Sequence, residues 1–111
     1  MLETLMDAWL NGRIEADGVE TFAAYRDRVA GALRRIVEAE GSNRNVVVFT
    51  SGGPVGLCVQ RVLRAPEAAF LDVNWRIRNC SLSEFTFSKK RISLDSLNVL
   101  SHLPRDLWTW R

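Results

Sequence analysis

The stretch that most restricts the folds open to this chain is residues 45–56, NVVVFTSGGPVG. Val46, Val47, Val48 and Phe49 run without a break into Thr50, Ser51, Gly52 and Gly53. A short apolar run bounded by turn residues predicts a strand buried on both faces, as in a parallel sheet. Pro54 and the VGLCVQRVL that follows predict a helix, with the proline at its first position, where a fixed φ is pre-organised and a missing N–H costs nothing. The two glycines allow a sharp turn and leave their amides uncovered. Unpaired N–H groups and the positive end of a helix dipole then meet in one place, which is receptive to an anion. Such a strand also makes a demand: it needs parallel neighbours brought by right-handed crossovers. No second run of that kind is evident in the sequence.

Composition narrows the function classes. A chain of 111 residues is one domain at most, and burial of about two-thirds of its unfolded surface supports a modest core. A formal net charge of +2 is too small to mark a nucleic-acid binder. The basic cluster Lys89, Lys90 and Arg91 reads as a solvated hairpin tip. Cys58 and Cys80 form no C-x-x-C pair and have no histidine cluster beside them, so both read as buried free thiols rather than metal ligands. There is no apolar run of membrane-spanning length and no basic-then-apolar leader. The expectation is a cytoplasmic, soluble protein with no metal, no cofactor, no nucleic-acid partner and no membrane partner.

Along the chain, Leu2, Leu5, Met6 and Trp9 fall on one face of a short helix that Asn11 and Gly12 stop. Met1 leads straight into it without a capping residue, which fits a truncated product, an internal start or an excised fragment. Residues 19–40 predict the longest helix, with Phe22, Tyr25, Val29, Leu33, Ile36 and Val37 as its apolar stripe. Val29 reads as core, and Arg26, Arg28 and Arg35 as solvated. Glu20 suits the start of this helix, Gly41 the position just past its end, and Arg34 can pair with Glu38. In the helix after Pro54, either Val55, Val59 and Val62 or Leu57 and Leu63 would face the sheet, and Pro66 ends it. Phe70, Leu71, Val73 and Trp75 read as a short extended or mixed piece. From Ile77 the pattern changes to alternation, of Cys80, Leu82 and Glu84 or of Ser81, Ser83, Phe85 and Phe87, and with Ile92 and Leu94 after SKKR it predicts a β-hairpin turning near residues 88–90. The whole is an α/β domain.

The order ETFAAYRDRVAGALRRI, VVVFTSGGPVG, NWRIRNCSLSEFTF and LNVLSHLP resembles the C-terminal half of the histidine phosphatase superfamily, which includes the phosphoglycerate mutases. The resemblance covers nearly the whole chain. It implies a partial three-layer α/β/α phosphoglycerate mutase-like domain over residues 1–111, ending in a β-hairpin. The parent activity it implies is hydrolysis of a phosphate monoester through a phosphohistidine, with a phosphorylated small molecule or phosphate as the ligand. Two departures limit what carries over. The family's nucleophile lies in an Arg-His-Gly motif that is absent here, and the only histidine, His102, matches a non-catalytic His-Leu near the end. The family's other active-site histidine falls on Ser51, in what looks like a TSGGP variant. The resemblance therefore implies a phosphate cradle of Thr50, Ser51, Gly52 and Gly53 without a complete catalytic set, in a chain inactive alone. The family's first strand would lie beside residues 46–49, so the chain would expose a sheet edge and self-associate, or take a partner chain, through it.

Other residues admit blander readings. Ser51 as a nucleophile would want a glycine where Phe49 stands and a histidine base near it, and neither is in the sequence. His102 reads as a core or capping residue. Asn79 is either a turn residue or a brace for the loop. Arg76 and Arg78 either face a phosphate or lie on an exposed strand face. Trp75, Trp108 and Trp110 read as core or edge cover rather than base-stacking platforms. A nucleotide-binding half-domain is the weakest reading, since both G-x-G-x-x-G and the P-loop lysine are missing.

Overall fold

The computed structural model describes residues 1–40 and 44–110. Helix α1 spans Leu2–Leu10 and α2 spans Phe22–Glu40. Helices α3 (Gly52–Val62) and α4 (Ala69–Asn74) follow, then strands β1 (Leu82–Phe87) and β2 (Ile92–Val99) and a 3₁₀ turn at Arg105–Leu107. Among the described residues the α/β class is thus four helices and one two-stranded antiparallel hairpin.

α2 begins later than its periodicity suggests because Thr21 caps it. Its Oγ1 accepts the Ala24 N–H at 3.2 Å, the usual hydroxyl cap on the third helical amide. Glu20 stays outside the helix and takes both ends of the Arg28 guanidinium at 2.9 and 3.0 Å. Phe22 and Val29 are buried as the stripe predicts, whereas Leu33, Ile36 and Val37 are half-buried. Arg26 is not simply solvated: it reaches Glu67 at 2.7 Å and ties α2 to the turn before α4. Arg34 and Glu38 form no ion pair with each other. Gly41, expected just past this helix, lies outside the described residues. α1 is held by its C-terminal end, where Trp9 meets the Phe22 ring edge-on at 5.3 Å and donates Nε1–H to the Glu20 carbonyl at 2.8 Å. Leu2 and Leu5 remain more than half exposed.

The centre of the molecule is α3, which packs against α2, α4 and β2. Leu57 is fully buried with Phe22, Val29 and Phe70, and Val59 is nearly so. Gly56 sets the approach of α4: a Cβ there would stand 3.1 Å from the Phe70 carbonyl oxygen. That close approach also explains why residues 69–74 form a helix and not the extended or mixed piece expected. The six residues AFLDVN carry too short a pattern to decide locally, and burial of Phe70 and Asn74 selects the helix. α3 closes in a two-bond C-terminal motif, Arg64 N–H to the Arg61 carbonyl and Ala65 N–H to the Gln60 carbonyl, each 3.0 Å.

The hairpin follows the alternation read from sequence, with Ser83, Phe85 and Phe87 turned inward. Leu82 opposes Val99 and Phe87 opposes Ile92, with a register shift on either side of Glu84. Ser88 and Arg91 close the turn through the Ser88 N–H at 2.8 Å.

Residues 46–49 depart most from expectation. They form no strand, and Val47, Val48 and Phe49 are 75, 57 and 95% exposed. A parallel strand is stable only between neighbours that complete its ladder and cover both faces. The only sheet among the described residues is the antiparallel hairpin. The molecule is also less compact than a closed monomer of its size. The accessible surface is 8182 Å², against about 6,200 Å² for a closed monomer of this mass. The radius of gyration is 15.1 Å, against about 13 Å for a compact domain of this length.

Candidate functional site

Residues 50–53 do build a helix N-terminus, though not by the turn expected. Ser51 is the N-cap, in extended backbone, and its side chain makes no capping bond. Gly52 is the first helical residue, so Pro54 stands third, and the first intrahelical bond joins the Val55 N–H to the Ser51 carbonyl at 3.5 Å. The amides of Gly52 and Gly53 precede that bond and have no acceptor within the helix. Two open donors at the positive end of an 11-residue helix are what an anion needs.

Neither glycine has a positive φ; close contact is what demands them. A Cβ on Gly52 would lie 3.3 Å from the Ile77 Cβ and 3.5 Å from Asn74 Oδ1, and a Cβ on Gly53 would collide with the Tyr25 hydroxyl. Tyr25, Asn74 and Ile77 thus wall the helix start from α2, from α4 and from the segment after α4. Burial pushes the Tyr25 phenol above its ordinary pKa, with Arg28 pulling weakly the other way. The phenol therefore keeps its proton and stands beside the glycines as a potential donor. Its ring is fixed by Trp9 and Phe70, at centroid distances of 5.5 and 6.3 Å. Asn74 is 3% exposed. Neither residue was singled out as a site residue by the sequence; an uncharged polar residue between Val73 and Trp75 was the available signal for Asn74.

Other candidates are held elsewhere. Thr50 and Ser51 are exposed at the loop. The His102 ring nitrogen Nε2 lies 2.9 Å from the Cys80 carbonyl oxygen, so the imidazole braces the entry to β1 from an exposed position and does not pair with Ser51. Arg76 and Arg78 stack on tryptophans instead of facing residues 50–53. The Arg76 guanidinium sits 5.0 Å from the Trp110 ring, and that of Arg78 lies between Trp108 and Trp110 at 4.9 and 4.7 Å. The tryptophans are edge cover, with residues 78 and 110 bridged as in an antiparallel pair.

Asn79 is a brace, but for the tail: its N–H and Nδ2 donate to the Thr109 carbonyl and Oγ1 at 2.9 and 3.0 Å. The residue that clamps the segment before β1 is Asn98, in left-handed backbone at φ 59°. Its Oδ1 accepts the Arg78 N–H at 2.9 Å, and its Nδ2 donates to the Arg76 carbonyl at 2.7 Å.

Cys58 is half-buried, and burial pushes its thiol up, so it stays protonated. Cys80 is exposed, not buried as expected. Among the described residues no three His, Cys, Asp or Glu side chains are grouped to hold a metal ion, and no helix is long and apolar enough to cross a membrane.

The family model of the histidine phosphatase superfamily (branch 1) matches residues 2–100. No curated protein and no solved structure matches the chain.

Proposed function

Because the chain belongs to branch 1 of the histidine phosphatase superfamily, we propose that residues 50–53 are a phosphate cradle in a chain that binds a phosphorylated ligand but does not hydrolyse it alone. The observation that carries this is the start of α3, where the Gly52 and Gly53 amides are open and the protonated Tyr25 hydroxyl stands against them. Transfer through histidine needs a free imidazole in line with phosphorus and cations on the equatorial oxygens. The sequence holds one histidine, engaged with Cys80, and Arg76 and Arg78 are engaged with tryptophans. In this reading residues 1–111 are the C-terminal portion of a phosphatase domain whose activity is phosphate monoester hydrolysis through a phosphohistidine. Ser51 occupies the place of the second active-site histidine.

Titration calorimetry with inorganic phosphate, alongside turnover of an aryl phosphate, tests this. Phosphate binds, Tyr25→Phe weakens it about three- to tenfold, the worth of one hydrogen bond, and turnover stays at background. Turnover above background that vanishes in Ser51→Ala would refute the reading.

A second reading, a non-catalytic interaction module completed by a second copy or a partner chain, has its own observation. Val47, Val48 and Phe49 form no strand and are exposed. The surface excess of about 2,000 Å² over a closed monomer is of the size that protein interfaces bury.

A further inference from the structure

The sequence places Lys89, Lys90 and Arg91 at a hairpin tip, where solvation is their simplest fate. The structure instead brings that tip against the end of α3 and the second half of α2, where Arg34, Arg61 and Arg64 join it around one open groove of about 890 Å³. Six of the chain's fifteen lysines and arginines line this groove, and among the described residues no carboxylate does. None of the six forms an ion pair among the described residues. The groove lies at the C-terminal end of α3, about 16 Å of helix from residues 50–53, so it is separate from the phosphate cradle.

The floor is apolar, built from side chains such as Leu33, Val62 and Ile92. Arg64 adds an independent sign of purpose. It occupies the position just past the helix that glycine normally takes, in left-handed backbone at φ 53°, so a strained backbone presents a cation to the groove.

We propose that this groove docks an acidic peptide segment of a partner protein, with apolar side chains set between its carboxylates. Charge complementarity selects an anion, and the apolar floor selects one that also carries hydrophobic groups. A wholly hydrophilic polyanion would leave that floor uncovered. A single-stranded nucleic acid would stack on aromatic rings, and among the described residues no aromatic one lines the groove. A bilayer surface does not enter a concave site.

Fluorescence anisotropy tests the proposal, using the full chain and a labelled peptide of about fourteen residues with leucine at every third or fourth position among glutamates. The peptide binds, and binding weakens as salt rises. The double reversal Lys89→Glu and Lys90→Glu raises Kd at least tenfold. Arg64→Gly, which suits the backbone and so keeps the fold, raises it severalfold with an unchanged or higher Tm. Peptides with glutamine for glutamate, or serine for leucine, bind at least tenfold more weakly. Absence of binding, or equal binding of the serine peptide, would overturn the proposal. So would tighter binding of inorganic polyphosphate, single-stranded DNA or phosphatidylserine vesicles. A dimer in sedimentation that the same charge reversal dissociates would give the groove to a second copy and likewise overturn it.

Discussion

Residues 46–49 offer the sharpest quantitative test. Replacing Val47 and Val48 by Thr and Phe49 by Ser removes apolar surface that now faces water. Full burial of a Val or Phe side chain is worth about 1.5–3 kcal/mol. Exposures of 75, 57 and 95%, summed at about 2 kcal/mol per residue, give about 4–5 kcal/mol available when the segment is covered. Where the segment docks on a second copy, as in the second reading, the triple variant should weaken that association by about three orders of magnitude, at about 1.4 kcal/mol per tenfold. The fixed entropic cost of association cancels between variant and parent. Sedimentation equilibrium measures the association, and hydrogen exchange at residues 46–49 reports where it occurs, because a strand that gains a neighbour gains amide protection. The monomer should keep its stability to within about 0.5 kcal/mol, as for surface changes generally. A monomer whose Tm falls by several degrees would mean that these side chains already pack in a core, and the reasoning would fail. Association that is undiminished in the triple variant would refute it equally.

Three further outcomes follow from the packing. Gly56→Ala sets a Cβ 3.1 Å from the Phe70 carbonyl oxygen and should cost about 1–3 kcal/mol by overpacking in urea denaturation; a neutral result would show that α4 can withdraw freely. Asn98→Ala removes both clamp bonds and leaves a non-glycine residue in left-handed backbone, a loss of about 2–4 kcal/mol by the same assay, of which Asn98→Gly should recover the backbone part. Glu20 is held below the usual carboxylate range chiefly by its hydrogen bond to Arg28. With a depressed folded pKa its contribution is fully present above the unfolded value of about 4.3 and is lost as pH falls through the folded one. A plot of Tm against pH should therefore lose slope below about 4.3 in Glu20→Gln, and identical slopes would exclude the pair as a source of acid sensitivity.

Local periodicity carries much of this protein. The stripe Phe22, Tyr25 and Val29 specifies α2, because a 3.6-residue repeat depends only on near neighbours. The alternation Ser83, Phe85, Phe87 specifies β1 for the same reason at period two. The glycines at 52 and 53 were legible as a turn with open amides beside a helix N-terminus, though not as the helix's own first residues, and the order of segments was legible as the family. Contacts distant along the chain decided the rest. AFLDVN becomes a helix because Phe70 and Asn74 are buried against α3 beside Gly56, a relation its own six residues do not encode. Arg76 and Arg78 turn from any phosphate because Trp108 and Trp110 return from the end of the chain to stack on them. Tyr25 reads as one more member of an apolar stripe until α3 sets Gly53 under its hydroxyl. Lys89, Lys90 and Arg91 read as solvated until α2 and α3 supply the other walls of a groove. The four apolar residues at 46–49 show the division most plainly. Composition makes them a strand in waiting, but a strand exists only with neighbours to satisfy its N–H and C=O groups, and tertiary structure leaves them without one.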